Sequence, residues 1–197
     1  MDKIAEYFDE KASSWAEMER CTKSSVQPAV ARMAGVGSGS RVLDVGCGLG
    51  VMVPVYLDME VGHVLGVDVS QNMVDLACER WSDKPEVEFL AVDAGELDAP
   101  GSFDAVVAYN VYPHIMNREA FVANVHKMLV DDGRFVVAHG AGKDAINSHH
   151  DAVAAGVSLG LKPAAEEALP WSDLFEIDAV VDTPAFYAFA GRKKAIG

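Results

Sequence analysis

The chain has 197 residues, half of them hydrophobic, and its 30 acidic and 16 basic residues give a formal net charge of −14. This length and composition fit one soluble globular protein with a sizeable core. The negative charge would repel a nucleic acid backbone and an anionic lipid surface, so we expect neither nucleic acid nor a membrane as a partner.

The cysteines and the first residues bear on the cellular compartment. Cys21, Cys47 and Cys78 are few and far apart, unlike the cysteines of a disulfide-stapled secreted domain. The opening residues are charged where a signal peptide is apolar, and no run approaches the roughly 18 apolar residues of a membrane span. We therefore expect a cytoplasmic protein.

Two helices are predicted before the first strand. From Ile4 to about Glu19, apolar residues fall at helical spacing among charges, and Ser13-Ser14 is a place where this helix could break. Its aromatic residues either cover the edges of the core, which is the commoner role of such a stripe, or form a lid over a site. A second helix, from about Ser24 to Ala34, ends at the glycine-rich residues 35–39.

Residues 41–50 predict a buried strand that leads into a tight turn. The strand carries one acid, Asp44, into three alternating glycines, Gly46, Gly48 and Gly50. Glycine is needed where the backbone takes a positive φ or approaches a ligand closely. We therefore predict that this loop lies against a small molecule.

Strands and helices alternate through the next hundred residues. The predicted elements are a helix over Val51–Met59, a strand over His63–Val67 that ends in Asp68, a helix capped by Ser70 that ends near Trp81, a strand over Val87–Val92 that closes on Asp93, a strand over Phe103–Tyr109, a helix capped by Asn117 and ended by Asp132-Gly133, and a strand over Arg134–Ala138.

The last third of the chain is less regular. The expected elements are a helix from about Asp144 to Ala155, a short helix around Ala164 to Leu169, an antiparallel hairpin from the runs Leu174–Val181 and Ala185–Ala190, and a disordered basic tail at Arg192-Lys193-Lys194.

The alternation predicts an α/β fold with a doubly wound, mostly parallel seven-stranded sheet, an antiparallel C-terminal hairpin and helices on both faces. We expect residues 1–197 to form a single domain, with residues 1–34 as an N-terminal helical cap. In such sheets ligands bind beyond the carboxyl ends of the strands. Five polar residues fall at or near such ends: Asp44, Asp68, Asp93, Asn110 and His139.

Four stretches at these strand ends carry a family resemblance. They are residues 42–50, residues 66–70 with Met73, residues 92–94 and residues 103–107. With them the chain resembles the class I S-adenosylmethionine-dependent methyltransferases of small molecules, which have a Rossmann-like fold. The G-x-G-x-G spacing differs from the G-x-G-x-x-G typical of dinucleotide enzymes. Asp68 follows Asp44 by 24 residues, Asp93 follows by a further 25, and each ends a predicted strand.

The resemblance implies S-adenosylmethionine as the cofactor. Asp44 would orient the loop or receive the methionine amino group, and Asp68 would accept from both ribose hydroxyls. Taken singly, Asp68 or Asp93 is better explained as a helix cap or loop carboxylate, and it is their joint spacing that favours a cofactor site. The remaining implied contacts are the loop residues Gly46, Cys47, Gly48 and Gly50, the adenine neighbours Val69, Met73, Asp93 and Ala94, and Asn110 near the methionine.

Histidines supply the candidate catalytic groups. The sulfonium already activates the methyl group, so a base is needed only when the nucleophile carries a proton. His114, after the fourth strand, and His139, after the fifth, are the candidates, although a lone histidine more often has a structural role. His149 and His150 could join His139 at a metal, but no cysteine or acid lies at a ligand spacing beside them, so we predict no metal site.

The loop after the fourth strand limits the substrate. It reads Asn110-Val111-Tyr112-Pro113 and lacks both the Asn-Pro-Pro-Tyr motif of amino-methyltransferases that act on DNA bases and glutamine and the acid of metal-dependent catechol methyltransferases. We expect methyl transfer to an oxygen, nitrogen or sulfur of a small molecule. The alternatives are a non-catalytic S-adenosylmethionine-binding sensor or scaffold and a nicotinamide-dependent oxidoreductase, which the glycine spacing disfavours.

Overall fold

The computed structural model of the protein describes residues 3–21, 25–150 and 156–195. Its strands are β1 (Arg41–Val45), β2 (His63–Asp68), β3 (Val87–Ala91), β4 (Phe103–Tyr109), β5 (Leu129–His139), β6 (Phe175–Asp182) and β7 (Tyr187–Lys193). Its α-helices are α1 (Lys3–Cys21), α2 (Gln27–Met33), α3 (Val53–Asp58), α4 (Gln71–Arg80), α5 (Arg118–Met128), α6 (Lys143–His150) and α7 (Ala164–Ala168), and single 3-10 turns lie at Tyr112–His114 and Leu169–Trp171.

The seven strands form one mixed sheet in the order β3-β2-β1-β4-β5-β7-β6. The strands β1 to β5 pair in parallel, whereas β7 is antiparallel to both β5 and β6. The strand order reverses between β1 and β4, which places the carboxyl ends of these two strands at the switch point where α/β sheets bind ligands. The predicted fold class is confirmed.

Hydrophobic clusters cover both faces of the sheet. Successive residues of a strand point to opposite faces, so Leu43 of β1 joins one cluster and its neighbour Val42 joins the other. The first cluster includes α5 and is rich in aromatic rings, among which Trp171 stacks on Phe135 with ring centroids 4.0 Å apart. The second includes α2 and α3, with Tyr56 fully buried. Burial on both faces explains the apolar run of β4.

The first and fifth predicted helices differ from the observed ones. Helix α1 is continuous through Ser13-Ser14, and the Ser14 hydroxyl donates to the Lys11 carbonyl oxygen at 3.0 Å within the helix. The prediction that Asp132-Gly133 ends a helix is wrong, since α5 ends at Met128 and β5 begins at the next residue. Asp132 instead adopts a φ of 61° inside an irregular stretch of the strand.

The predicted basic tail is also wrong, because Arg192 and Lys193 belong to β7. The Lys193 ammonium donates to the Leu129 carbonyl oxygen at 2.6 Å and so fastens β7 to the start of β5. The predicted helix from Asp144 is observed as far as His150, and residues 151–155 lie outside the described part, as does Ser24. None of the helices in the described ranges is long and apolar enough to cross a membrane.

The loop after β5 lies tightly against the turn between β6 and β7, which yields a stability prediction. A Cβ on Gly142 would lie 2.4 Å from the Thr183 carbonyl oxygen and 2.6 Å from that of Pro184, whereas a Cβ on Gly37 would meet nothing within 4 Å. Gly142→Ala should lower the free energy of unfolding by about 2–3 kcal/mol through this overpacking. Gly37→Ala should not lower it. Urea denaturation measures both, and equal losses would contradict the packing.

Candidate active site

The glycine loop after β1 is pressed between the ends of β2 and β4. Gly46, Gly48 and Gly50 have φ angles of 64°, 50° and 77°, in the left-handed region that favours glycine. The backbone N–H groups of Gly46 and Cys47 both donate to the Val67 carbonyl oxygen, at 2.8 and 3.0 Å. A Cβ on Gly46 would lie 2.2 Å from a methyl group of Val111, just after β4. The loop therefore has the tight backbone turn that its glycine spacing predicts.

Asp68, the last residue of β2, holds this loop. Its Oδ2 accepts from the Gly48 N–H and its Oδ1 from the Ser70 N–H, both at 3.0 Å. Burial raises the pKa of Asp68, and these two backbone donors oppose the rise. Ser70 in turn caps α4, because its hydroxyl oxygen accepts from the Met73 N–H at 3.1 Å. One carboxylate thus fixes both the glycine loop and the start of α4.

Asp44, within β1, is a second carboxylate near this loop and is buried, only 2% exposed. Tyr56 of α3 donates its hydroxyl to Oδ1 of Asp44 at 3.2 Å, whereas Oδ2 has no hydrogen-bond partner within the described part of the chain. Burial is the main cause that raises the pKa of Asp44 to about 7; the nearby Asp68 charge adds to the rise and the Tyr56 bond opposes it. A buried polar atom left in this state is unfavourable unless a donor reaches it.

Helix α1 lies across this end of the sheet and is anchored by Asp9. The Asp9 Oδ1 accepts from the Ser70 hydroxyl at 2.6 Å and from the Asn72 N–H at 3.0 Å. The Asn72 side-chain amide donates to the Asp9 carbonyl oxygen at 3.2 Å. The anchor of α1 is therefore the same turn between β2 and α4 that Asp68 holds.

Apolar side chains of α1 cover the glycine loop. Ala12 is buried with Leu49 and Met73, and Phe8 and Trp15 pack against this group. The indole nitrogen of Trp15 would lie 3.7 Å from a Cβ placed on Gly48. Of the two roles considered for the aromatic stripe of α1, this position fits a cover over the loop.

These features match what S-adenosylmethionine requires of a site. The open Oδ2 of Asp44 can accept from a cationic amino group. The fixed carboxylate of Asp68 retains acceptor capacity, because its two oxygens together have about four lone-pair sites. The glycine loop offers a backbone surface without side chains. The residues present therefore fit the cofactor.

The predicted adenine neighbours lie around the ends of β2 and β3. Asp93 is exposed, and its Oδ1 accepts from the Gly95 N–H at 2.7 Å. Ala94 is buried, and its carbonyl oxygen accepts from the Asn124 amide at 2.7 Å. Val69 is partly buried, and Met73 is buried beneath α1. Asp93 already serves as a loop carboxylate, the simpler role considered for it.

Two further predicted contacts have structural tasks in the free protein. Asn110 adopts a φ of 58°, and its side-chain oxygen accepts from the Gly140 N–H at 2.9 Å, which joins the loops after β4 and β5. Cys47 is buried within the glycine loop, and burial raises the pKa of its thiol. Each lies at the carboxyl end of the sheet, as predicted.

His114 faces α1 from the 3-10 turn after β4. Its Nδ1 lies 2.6 Å from the Val157 carbonyl oxygen, and its ring meets the Phe8 ring edge to face with centroids 5.0 Å apart. A carbonyl oxygen can only accept, so Nδ1 carries the proton and Nε2 is the basic nitrogen. Burial lowers the pKa of His114 from its ordinary 6.5, against the opposing effect of the Val157 bond. The ring is therefore neutral at neutral pH.

The other histidines are less favourably placed. His139 ends β5 in the core, 3% exposed, with its ring edge to face with Tyr187 at 5.9 Å. The side chains of His149 and His150 lie outside the described residues. Within the described ranges, no group of three or more histidines, cysteines or acids could hold a metal ion.

Sequence reasoning missed three participants. Tyr56 and Asp9 lie in predicted helices without an assigned role, and Val157 lies between predicted elements. Each makes a hydrogen bond to a residue distant in the sequence. Tyr56 bonds Asp44, Asp9 bonds Ser70, and Val157 bonds His114. Only the presence of a tyrosine in the otherwise apolar stretch of α3 offered a local signal.

The burial of Asp44 predicts a pH-dependent stability effect. Because the folded pKa of about 7 exceeds the ordinary 3.8, ionisation of Asp44 opposes folding increasingly as the pH rises from about 4 to 7. Asp44→Asn keeps an acceptor for Tyr56 but cannot ionise. The stability of the variant relative to the wild type should therefore be about 2–3 kcal/mol more favourable at pH 8 than at pH 5. Urea denaturation without cofactor measures this, and equal differences at both pH values would contradict it.

Comparison with known proteins supports the same interpretation. Residues 42–133 match the family model of the methyltransferase domain. Phosphoethanolamine N-methyltransferase 1 of Triticum aestivum is 34% identical over 103 residues, 51% of this chain and 21% of that protein. Ubiquinone biosynthesis O-methyltransferase of Bradyrhizobium diazoefficiens is 32% identical over 102 residues, which are 51% of this chain and 40% of that protein. The matched segment is thus about half of this chain and less than half of either relative.

Solved structures share the fold over a longer range. A Haloferax volcanii protein solved in complex with the Trm112 methyltransferase activator superposes with a TM-score of 0.83 at 19% identity over 99% of both chains. N-methyltransferase NodS from Bradyrhizobium japonicum, in complex with S-adenosyl-L-homocysteine, superposes with a TM-score of 0.73 at 16% identity over 98% of this chain and 100% of NodS. The match to the methyltransferase domain covers just under half of the chain, and the solved structures, all under 25% identical, show that the chain shares the fold of these methyltransferases.

Proposed function

We propose that this protein transfers the methyl group of S-adenosylmethionine to an oxygen, nitrogen or sulfur atom of a small molecule. The observation that carries this proposal is a pair of carboxylates at the switch point of the sheet, the buried Asp44 and the partly buried Asp68. Asp44 presents an open oxygen there, and Asp68 is fixed by two backbone donors. The hydrogen bonds of Asp68 have a structural role, but the open oxygen of Asp44 has none, and a cationic ligand would supply the donor that it lacks.

The family resemblance assigns the cofactor contacts. Asp44 would receive the amino group, Asp68 would accept from the ribose hydroxyls, and the backbone of Gly46, Cys47, Gly48 and Gly50 would lie against the ligand. Val69, Met73, Asp93 and Ala94 would contact the adenine, and Asn110 would lie near the methionine end. Phe8 and Trp15 of α1 cover the glycine loop and would exclude water from the bound cofactor.

When bound, the cofactor supplies a methyl group that its sulfonium makes electrophilic. The protein's own task is to position the acceptor and to remove its proton. His114 is the better placed of the two histidines, because its Nδ1 proton is committed to Val157 and its Nε2 is basic at neutral pH. His139, buried beside Tyr187, is the weaker candidate.

The small size of the acceptor is supported by the charge and by the relatives. A net charge of −14 disfavours a polyanionic substrate. The two relatives are a phosphoethanolamine N-methyltransferase and a ubiquinone biosynthesis O-methyltransferase, so both are named for small molecules. The loop after β4 lacks the motif that would hold a planar nitrogen of a base. These points support a small acceptor and leave its reactive atom open among oxygen, nitrogen and sulfur.

The role of Asp68 predicts a loss of cofactor affinity. Asp68→Asn removes the charge that would strengthen its bonds to the ribose hydroxyls, so affinity for S-adenosylmethionine should fall by about 1.5–3 kcal/mol, or roughly 10- to 150-fold. Calorimetric titration measures it. The control is Asp104→Asn, since Asp104 also accepts from a backbone N–H, that of Arg41 at 2.8 Å, but at the amino end of the sheet. Equal affinities in both variants would remove Asp68 from the site.

The role of His114 predicts a loss of rate. In a screen of thiols, phenols and amines that detects S-adenosylhomocysteine, His114→Gln should lower the rate about 10²- to 10³-fold for an acceptor that carries a proton. The wild-type rate should fall as the pH drops through a pKa below 6.5. His126→Gln is the control, because His126 is also buried with a ring nitrogen near a carbonyl oxygen, that of Lys194 at 3.3 Å. An unchanged rate in His114→Gln would exclude the base.

A further inference from the structure

A short segment behind the site braces His114. This brace, residues 157–162, meets the 3-10 turn after β4 through two backbone contacts of opposite direction. The Val157 carbonyl oxygen accepts from Nδ1 of His114 at 2.6 Å, and the Leu159 N–H donates to the Pro113 carbonyl oxygen at 2.8 Å. Val157 itself is buried. The orientation of the His114 ring therefore depends on where the brace lies.

An ion pair between Arg118 and Glu167 fixes the brace. The Arg118 Nη1 lies 2.5 Å from Oε1 of Glu167, and the two side chains are only 19% and 5% exposed. The Arg118 Nη2 donates to the Gly160 carbonyl oxygen at 2.7 Å. Glu167 accepts from the Lys162 N–H at 3.0 Å through the same Oε1. Both partners of the pair thus bond the backbone of the brace, two residues apart.

Arg118 also contacts the 3-10 turn after β4. Its guanidinium lies over the ring of Tyr112, 4.4 Å from the centroid, and Tyr112 begins the 3-10 turn that carries His114. Asn147 of α6 holds Leu161 of the brace through two bonds, at 2.8 and 2.9 Å. Arg118 contacts both the brace and the turn, and so adds a second side-chain connection to the one that His114 makes with Val157.

A buried ion pair is weak evidence for stability, because desolvation offsets much of the Coulomb attraction. The hydrogen bonds of the pair Arg118–Glu167 indicate a role other than stabilising the fold. The proton of a free neutral imidazole ring favours Nε2, whereas the Val157 carbonyl oxygen requires it on Nδ1. By holding Val157 in place, the ion pair would determine which ring nitrogen is basic and where it points.

We propose that Arg118 and Glu167 are positioning residues for His114, which hold the brace so that the ring keeps its Nδ1 proton on Val157 and presents Nε2 to the acceptor. This inference rests on the proposed function of His114 as a base. Neither residue touches the reacting atoms. Their effect is transmitted through Gly160 and Lys162 to the backbone at Val157.

Nitrogen-15 NMR of the free protein tests the proposal without any substrate. With labelled histidine, the His114 signals are assigned by their loss in His114→Gln, and their shifts report which nitrogen carries the proton. In the wild type the Nδ1-protonated form should predominate. In Arg118→Met its population should fall at least twofold toward that of a free ring, and Glu167→Gln should give a smaller change in the same direction.

A matched variant separates positioning from general destabilisation. Arg134→Met removes a comparable pair, in which Arg134, 20% exposed, binds Asp178 through two bonds of 2.8 Å and the Met33 carbonyl oxygen at 3.1 Å. Arg134 pairs with Ala105 near the start of β4, at the end of the sheet away from His114, so His114 should keep its wild-type signals. If Arg118→Met does not fold, Arg118→Lys replaces it, since one ammonium cannot reproduce the forked contacts to Glu167 and Gly160.

The outcomes distinguish this inference from the proposed function. Retention of the Nδ1-protonated form in the folded Arg118 and Glu167 variants would overturn the positioning role, whatever the activity. A change in Arg134→Met equal to that in Arg118→Met would overturn it as well. If His114→Gln keeps full methyl transfer activity, the base assignment fails, while the NMR result still decides whether the ion pair sets the tautomer.

Discussion

The arrangement at the carboxyl end of the sheet depends on the carboxylate of Asp68. Its two oxygens bind the N–H groups of Gly48 and Ser70, which joins the glycine loop of β1 to the start of α4. Ser70 then donates to Asp9, so α1 is anchored to the same turn. Hydrogen bonds to a charged group each contribute about 1.5–3 kcal/mol. One side chain at the end of β2 thus determines the position of a loop, a helix terminus and a covering helix.

The polar groups at the two ends of the sheet differ in how they are paired. At the amino end the charges are paired within the protein, as in the contacts of Arg41 with Asp104 and of Arg134 with Asp178. At the carboxyl end Asp44 keeps an open oxygen in a buried position, and its pKa is raised to about 7. Such a group opposes folding and is useful only to a ligand. The difference separates the end that stabilises the sheet from the end that we assign to the reaction.

Local patterns were sufficient to predict most of the sheet. The uninterrupted apolar run of β4 and the alternating glycines after β1 each have one ready physical explanation, a strand covered on both faces and a positive-φ turn. Asp132-Gly133 does bend the chain, with a φ of 61° at Asp132, but the bend lies within β5, between the paired residues Leu129 and Arg134, and not at the end of a helix. The contacts of Arg118 with Glu167 and of Tyr56 with Asp44 join residues that no periodicity relates, so only the folded chain reveals them.

The central claim is that the glycine loop, the turn after β2 and α1 form one cofactor site. Hydrogen exchange, with and without S-adenosylhomocysteine, tests it most directly because it reads each segment separately. We predict slower exchange in residues 44–50, in residues 66–73 and in α1 when the ligand is present, with no change at the amino end of β4. Unchanged exchange in all three segments at saturating ligand, or protection confined to another part of the sheet, would contradict the account.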